Sequence, residues 1–316
     1  MVRSIMGKVI LGVFYAISLG YSFQPRKCQI FWGNLLGWLI GSLGFRHSTV
    51  EKNLSFAYPQ DPVRRKKLLR DAYLSFGNLI LEIFMVLPSL GGKAPMRRFV
   101  SKYVDFEGAH YPKQAWDQGK KVIFLSSHLG NWEVMAASGV LIAEADLLLV
   151  TKRIKPRWLH QVIEKGRKSY GVTGAYEPKT LQKILSHLKK DRAAVGFVLD
   201  QYVGPPAGVR VPFFGIPVGT SLIVAALAKR TGAVVLPVEN FRKPDGRWQV
   251  TIAPALVWKS AENHHYELAV NTEVFQKEME ESIFKNPEQW LWTHRRFKGN
   301  LGPLKAGEWS QSRVRA

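Results

Sequence analysis

The alternation of apolar runs with segments of helical periodicity after about residue 104 predicts an α/β fold. Short apolar runs that resemble buried strands lie at residues 121–126, 146–151, 194–199, 233–238 and 248–253. Between and after them, apolar residues recur at helical spacing at residues 131–143, 157–170, 178–190, 221–231 and 265–284. This order predicts a mixed or mostly parallel sheet flanked by helices. In such sheets, functional side chains gather beyond the carboxyl ends of the strands.

The amino-terminal region contains two long apolar runs. In residues 5–23 the one charged side chain is Lys8, and the run is just long enough to cross a bilayer at ~1.5 Å per residue. The second run, residues 28–45, has glycines every three or four positions, which predicts a closely packed helix face. A retained membrane anchor is the favoured interpretation, with a buried helical hairpin and a cleaved signal peptide as alternatives. The second run is expected to lie along the membrane surface or to pack on the domain.

Composition adds a strong positive charge to this picture. Lys and Arg outnumber Asp and Glu by 45 to 24, a formal net charge of +21. Such an excess favours polyanionic partners, namely nucleic acid, anionic lipid headgroups, phosphorylated substrates or an acidic carrier protein, and charge alone does not choose among them. The single cysteine, Cys28, excludes an intramolecular disulfide and a cysteine-rich metal site.

His128 and Glu133 are the first candidates for chemistry. They lie five positions apart, where the strand-like run at 121–126 gives way to a helical pattern. On one continuous helix they would diverge by roughly 140°, so they can converge only if the chain turns between them. A carboxylate that fixes the imidazole tautomer leaves the other ring nitrogen free to take a proton from a hydroxyl. We therefore expect His128 as general base and Glu133 as its orienting acid. A helix-capping histidine beside an unrelated glutamate is the alternative.

Several segments together resemble one enzyme family. The H-L-G-N-W-E block resembles the H-x-x-x-x-[DE] block of membrane-associated acyltransferases, which form the lysophospholipid acyltransferase-like superfamily. The remaining segments resemble the narrower family of lipid A biosynthesis late acyltransferases, and the similarity extends from the amino-terminal region to about Lys298. The segments that carry it are residues 128–133, 197–201, 211–215, 226–238 and 289–298.

The resemblance implies an activity and a location. Members of this family add secondary lauroyl or myristoyl chains to a lipid A precursor. We expect an O-acyltransferase of the bacterial inner membrane, facing the cytoplasm, that uses acyl carrier protein or, less readily, coenzyme A as acyl donor. No cofactor or metal is expected, because a thioester is already activated. The expected divisions are residues 1–45 as membrane anchor and interfacial region, 46–300 as acyltransferase domain and 301–316 as tail.

The acceptor and the partners are less narrowly defined. The expected partners are acyl carrier protein, a phosphorylated glycolipid and inner-membrane lipid, without nucleic acid, and the oligomeric state is left open. Relatives of the family acylate other lipids, so a phosphatidylinositol mannoside or an aminolipid is an alternative acceptor. A basic protein that binds membranes or nucleic acid without catalysis is the alternative from a different class.

The resemblance also implies further residues at the site. Arg167 is expected to contact substrate phosphate or to stabilise charge, with an exposed helix arginine as the alternative. Arg153 is expected as a second phosphate-binding residue. Asp200 and Gln201 are expected at the substrate site, where Asp200 would bind a basic side chain or a sugar hydroxyl. A turn-initiating aspartate is the alternative.

Two further segments are given structural roles. The Gly- and Pro-rich stretch from Gly204 to Gly215 predicts a shaped loop bordering the substrate groove. His294, Arg295 and Arg296 are expected to be structural, binding acidic groups near the carboxyl end.

Overall fold

Five helices precede the sheet. The computed structural model describes residues 2–86 and 91–299, with side chains from residue 12 onward except at 85–90. These helices are α1 (Val2–Ser22), α2 (Arg26–Ser42), α3 (His47–Ala57), α4 (Pro62–Leu81), which continues as a π-helical turn over Glu82–Val86, and α5 (Lys93–Tyr103). Pro62 occupies the first turn of α4, and the side chain of Asp61 accepts a hydrogen bond from the backbone N–H of Arg64. Both features favour a helix start there.

Strands and helices alternate in the rest of the chain. The strands are β1 (Val104–Glu107), β2 (Val122–Ser126), β3 (Asp146–Val150), β4 (Val172–Ala175), β5 (Ala193–Val198), β6 (Gly208–Phe213), β7 (Ile216–Ser221), β8 (Val234–Arg242) and β9 (Trp248–Ile252). The helices are α6 (His110–Asp117), α7 (Trp132–Leu141), α8 (Arg157–Tyr170), α9 (Thr180–His187), α10 (Ile223–Thr231) and α11 (His264–Lys285). A 3-10 turn over Pro287–Gln289 follows α11.

Seven of these strands form one sheet in the order β1-β9-β8-β2-β5-β3-β4. Every neighbouring pair in it is parallel except β8 and β9. The central strand β2 is buried along its whole length, and its side chains alternate between two cores. Val122 and Phe124 pack with α4 to α8, whereas Ile123 and Leu125 pack with α9 to α11. The predicted mixed, mostly parallel sheet flanked by helices is confirmed.

The second apolar run forms a helix that packs on the domain. Gly33 and Gly37 of α2 lie against α4 so closely that a Cβ at either would collide with Asn78 or with the backbone at Tyr73. Gly77 of α4 meets the backbone of Gly33 and Gly37 from the other side. The predicted close-packed glycine face is therefore confirmed.

The first apolar run forms α1, but it is not supported as a membrane-spanning segment. Within residues 2–86 and 91–299, the structure has no helix both long and apolar enough to cross a bilayer. The predicted tail, residues 301–316, lies outside the described residues.

All five predicted strands and all five predicted helices of the catalytic region are present, with shifts at their ends. Strands β1, β4, β6 and β7 were not predicted. The expected loop around Gly208 and Gly215 is wrong, because this stretch is the antiparallel hairpin β6–β7. Its two-residue turn is Phe214-Gly215, with positive φ at both residues, the combination found in type I′ hairpin turns.

Candidate active site

His128 and Asp200 meet at the carboxyl end of the central parallel strands. In the register of β2 and β5, Ser126 is the partner of Val198. His128 and Asp200 each follow two residues later, so both side chains reach the same edge of the sheet. His128 Nδ1 lies 2.7 Å from Asp200 Oδ1, and the backbone N–H of His128 donates to Asp200 Oδ2 at 2.7 Å. The carboxylate thus holds both the ring and the main chain of His128.

Asp200 is placed to orient an imidazole. It is fully buried, and the indole Nε1 of Trp290 also donates to its Oδ2 at 2.7 Å. Burial alone would raise the pKa of Asp200, but the adjacent His128 ring and the hydrogen bonds from His128 lower that pKa below its usual range. Asp200 therefore stays ionised. It accepts from Nδ1–H of His128, which leaves Nε2 as the basic ring nitrogen.

The chain after the last helix completes this corner. The backbone N–H of Leu291 donates to the carbonyl of His128, and that of Gly130 donates to the carbonyl of Gln289. Gly130 has φ +60° and lies so close to the carbonyl of Asn240 that a side chain would collide with it. A glycine is therefore required for the bend between His128 and α7.

Three more side chains surround the imidazole. Gln201 Nε2 lies 3.5 Å from His128 Nε2. The Trp132 ring contacts His128 edge-on with centroids 4.9 Å apart, and the His294 ring lies at 4.8 Å. Burial, aided by the nearby positive charges, lowers the pKa of His294 to about 4. His294 is therefore neutral at pH 7 and does not compete with His128 for the Asp200 carboxylate as a second cation.

Glu133 has a different partner from the one predicted. The Nε of Arg167 in α8 donates to Glu133 Oε2 at 2.9 Å, and its Nη2 donates to Oε1. Both residues are 3% exposed. Burial would lower the pKa of Arg167, but the Glu133 carboxylate raises it, so the guanidinium stays charged. The expected pairing of Glu133 with His128 is wrong, because Arg167 binds both carboxylate oxygens.

The predicted substrate-binding residues divide into buried and exposed groups. Arg167 is buried in its ion pair, so the alternative of an exposed helix arginine is wrong, whereas its contact with substrate phosphate stays a prediction. Asp200 binds a basic side chain, as expected, but it has no exposed surface for a sugar hydroxyl. Gln201 is half-buried beside His128. Arg153 is exposed in the loop after β3, the strand next to β5, so it lies at the same edge of the sheet as Asp200.

An ionic network supports the start of α7. The side chain of Asn131 caps this helix by accepting from the N–H groups of Glu133 and Val134. Its Nδ2 donates to Glu82 Oε2 at 3.1 Å. Glu82 also binds Arg26 of α2 and, at 2.8 Å, Arg242 of β8. The amino-terminal helices are therefore connected to the helix that follows His128.

An apolar cavity lies between α7 and the sheet, on the face of β2 that carries Phe124 and Ser126. Its volume is about 30 Å³, room for roughly two water molecules. Its wall includes Ser126, two residues before His128, and Met135 of α7. Val238 of β8 and Val250 and Ile252 of β9 also line it. Apart from Ser126, the cavity is lined by apolar side chains and glycines, a lining that suits a hydrocarbon group.

Comparison with known proteins identifies the kind of enzyme that this site belongs to. A sequence model of the family described as "Bacterial lipid A biosynthesis acyltransferase" matches residues 5–299. The chain belongs to this family. It is an acyltransferase, as the sequence predicted.

Individual relatives of this acyltransferase are named as lipid A acyltransferases or as a phosphatidylinositol mannoside acyltransferase. It is 27% identical over 256 residues to the lipid A biosynthesis palmitoleoyltransferase of Escherichia coli, covering 80% of this chain and 79% of the relative. It is 25% identical over 273 residues to the lauroyltransferase of the same organism, covering 83% and 84%. Identity is also 25%, over 221 residues, to the phosphatidylinositol mannoside acyltransferase of Mycobacterium tuberculosis, covering 68% and 66%.

Arg296 has the structural role expected from the sequence. It is fully buried, and its Nη atoms donate to the carbonyls of Gln201 and Gly219 and to the side chains of Thr220 and Gln276. Arg296 thereby connects the loop that contains Gln201 with strand β7 of the hairpin. Arg296 is structural, as expected, but it binds neutral oxygens. The position of Arg296 in an apolar, aromatic-rich segment is the feature of the sequence that could have indicated its burial.

His294 makes the stability of the acyltransferase depend on pH. Its pKa is about 4 in the folded protein against a usual 6.5, so between these values the unfolded chain binds more protons. The contribution of His294 to stability is therefore fully present above about pH 6.5 and is lost as the pH falls toward 4. We expect this group to contribute about 2 kcal/mol of that decline. In His294→Gln, melting temperatures measured from pH 7 to pH 4.5 should fall less steeply than in the parent. An unchanged slope would contradict the assignment.

Proposed function

We propose that this enzyme transfers a fatty acyl chain from acyl carrier protein, or less readily from coenzyme A, to a hydroxyl of a lipid A-type glycolipid precursor. The observation that carries the proposal is the His128–Asp200 pair beside an apolar cavity in a chain of this family. The names of both kinds of relatives support the broader statement that this enzyme is an acyltransferase of glycolipids. The donor and the acceptor hydroxyl are the proposed parts.

The proposed mechanism uses His128 as general base without an acyl-enzyme. The acceptor oxygen attacks the thioester carbonyl carbon while His128 Nε2 removes the hydroxyl proton, and Asp200 stabilises the resulting imidazolium. The tetrahedral intermediate then collapses, the C–S bond breaks, and the leaving sulfur takes the proton from the imidazolium. The products are an ester and a thiol. Asp200 thus takes the role expected of Glu133.

The amino end of α7 is a suitable place for the developing oxyanion. The first N–H groups of a helix have no intrahelical acceptor, and the helix dipole adds partial positive charge there. Asn131 already caps the N–H groups of Glu133 and Val134. The N–H of Trp132, which precedes them, is the donor that we assign to the oxyanion.

Cations near the site support an anionic donor and a phosphorylated acceptor. The guanidinium of Arg46 donates to the carbonyl of Thr293, next to His294. Lys152 and Arg153 lie exposed in the loop after β3. Together with the net charge of +21, these residues suit acidic carrier protein and lipid phosphate. Because acyl carrier protein is a cytoplasmic donor, we propose that the domain faces the cytoplasm at the inner membrane.

Exposed apolar side chains on α2 support membrane association without requiring a spanning helix. Away from the glycine face that packs on α4, this helix and the residues after it expose Phe31, Trp32, Trp38, Leu39 and Leu43. Trp38 is 58% exposed and Leu43 84%. Aromatic and aliphatic side chains on one exposed helix face are typical of helices that lie in the headgroup region.

Removing aromatic side chains from α2 should weaken lipid binding. We expect the full chain to float with anionic liposomes. The double variant Phe31→Ser with Trp38→Ser should bind them at least about tenfold more weakly, because it lacks two aromatic side chains that would be buried in the lipid. Val257→Ser removes an apolar side chain that is also exposed, at 81%, but lies outside the amino-terminal helices, and it serves as control. Equal flotation of all three proteins would contradict an interfacial role for α2.

Two glycolipids are candidates for the acyl acceptor. A phosphatidylinositol mannoside is the second candidate, because a relative with 25% identity has that acceptor in its name. Purified protein would be incubated with acyl carrier protein thioesters and each lipid, followed by mass spectrometry of the products. The proposal requires a gain of one acyl mass on the lipid A-type precursor and its loss in His128→Asn. Acylation of the mannoside alone would overturn the proposed acceptor, and acylation of neither lipid would overturn the function.

A further inference from the structure

Asn240 in β8 has buried polar atoms without a partner. It is 1% exposed, and neither its Nδ2 nor its Oδ1 makes a hydrogen bond to any residue that the structure describes. Trp248 in β9 is 2% exposed, and its Nε1 also makes no hydrogen bond to any residue that the structure describes. Buried polar groups are nearly always hydrogen-bonded, because a buried group without a partner destabilises the folded protein. Asn240 and Trp248 are diagonal neighbours across the β8–β9 ladder, and their three unsatisfied atoms require a partner from outside the described residues.

These two residues lie next to the turn that connects His128 with α7. In the register of β2 and β8, Leu125 is the partner of Pro237, so His128 and Asn240 each come three residues beyond the same level of the sheet. A side chain at Gly130 would collide with the carbonyl of Asn240 and would lie 3.1 Å from the Trp248 ring. Asn240 and Trp248 are therefore packed against the bend that carries His128 into α7.

Neither Asn240 nor Trp248 lines the apolar cavity itself, but residues next to them on the same face of the sheet do. Side chains alternate along a strand, so Asn240 projects from the same face of β8 as Val238. Its neighbour across the ladder in β9 is Val250. Val238 and Val250 both line the cavity. Ser126, which lines the cavity, already donates to the carbonyl of Val238 at 2.8 Å, so its hydroxyl is satisfied, unlike the side chains of Asn240 and Trp248.

We infer that Asn240 and Trp248 form a polar subsite that binds an amide group of a substrate as its acyl chain enters the cavity. The inference rests on the proposed function. The side chain of Asn240 offers two N–H donors and one oxygen acceptor, and the indole offers one donor. A secondary amide matches this set, because its carbonyl accepts from Nδ2 or Nε1 and its N–H donates to Oδ1. Such amides occur in the pantetheine arm of the acyl donor and in the N-linked chains of an amino-sugar acceptor.

The first test measures stability without substrate. Asn240→Leu keeps the shape and removes the unsatisfied atoms, so we expect its melting temperature to rise by about 2–4 °C. Asn271→Leu is the matched control. Asn271 is equally buried, but its amide bonds the backbone of Lys259 and Glu267, so that variant should melt at a lower temperature. A comparable loss in Asn240→Leu would show that a structural water satisfies Asn240 and would overturn the inference.

The second test measures which substrate carries the amide. If the donor amide is bound, we expect kcat/KM of Asn240→Leu to fall roughly 10- to 100-fold with acyl-pantetheine thioesters. With acyl thioesters of 2-mercaptoethanol, which lack amides, kcat/KM should then change little. If the acceptor amide is bound, the fall should be the same with both donors and should vanish with an acceptor whose chains are all ester-linked. Full activity with every pair, or a loss that no amide removes, would overturn the inference.

A binding measurement separates this inference from the proposed function. A non-hydrolysable acyl-pantetheine thioether and an N-acyl glucosamine phosphate would each be added to the purified chain, and the ligand-induced shift in melting temperature recorded. We expect one of these probes to stabilise the parent protein and to stabilise Asn240→Leu less. This result can hold even if acyl transfer is never observed. Equal shifts in parent and variant with both probes would overturn the subsite while leaving the transferase proposal standing.

Discussion

Replacing Asp200 with asparagine is expected to lower kcat by roughly 10³- to 10⁴-fold, with little change in KM. The carboxylate accepts from Nδ1 of His128 and keeps that ring nitrogen protonated, so that Nε2 can act as base. An asparagine amide can instead donate to Nδ1, which moves the proton to Nε2 and removes the base. It also lacks the charge that stabilises the imidazolium. Steady-state kinetics of the purified variant, with circular dichroism to verify folding, would measure the effect.

Two comparisons make this result specific to the site. Asp146→Asn changes a partly exposed carboxylate at the start of β3, where it bonds Lys190, and it should leave kcat unchanged. His128→Asn should lose at least as much activity as Asp200→Asn, and the double variant should lose little more than His128→Asn alone, because the two residues act as one unit. An Asp200→Asn enzyme with more than a tenth of the parental kcat would remove Asp200 from the mechanism.

The sequence could predict the edge of the sheet but not the pair that meets there. The buried run of β2 and the following helical pattern placed His128 beyond a strand, and the same logic placed Asp200 beyond another. Which strands are neighbours depends on long-range order, and β2 precedes β5 by some 70 residues in the chain. Only the register of Ser126 with Val198 brings the two side chains together.

The hairpin β6–β7 was missed for a local reason. Pro212 and Pro217 argue against strands, because proline cannot donate to a ladder. In the structure they lie directly opposite each other, at a pair where neither N–H is needed. The turn has Phe214 at φ +51° where hairpins usually have Asn or Asp. Neither exception can be recognised from one sequence, so the segment was predicted as a loop.

Glu133 was assigned to His128 because five residues and a bend allow the two to converge. The bend exists, yet the first turn of α7 is buried and brings the Glu133 carboxylate to Arg167 of α8. Spacing in the sequence shows which contacts are permitted. Burial then decides between them, because a buried carboxylate must find a cation and Arg167 is equally buried.

Breaking the Glu133–Arg167 pair is expected to be the most damaging change to stability among the residues of this region. Glu133→Leu or Arg167→Met alone leaves an uncompensated charge in the core and should lower the free energy of unfolding by about 3–5 kcal/mol. The double variant Glu133→Leu with Arg167→Met removes both charges and should recover most of that loss, because apolar side chains of similar volume can replace a buried ion pair. Urea unfolding of all four proteins would measure this double-mutant cycle.

The double variant also decides what the pair does in the reaction. If Asp200 alone orients His128, the refolded double variant should keep kcat within about fivefold of the parent, since the imidazole retains its partner. If Glu133 oriented the imidazole, the double variant would be folded and yet inactive, with losses near those of His128→Asn. If Arg167 bound substrate phosphate, KM for the acceptor would rise while kcat persisted. Because folding is restored in this one protein, each of the three roles gives a different kinetic result, and low activity cannot be mistaken for unfolding.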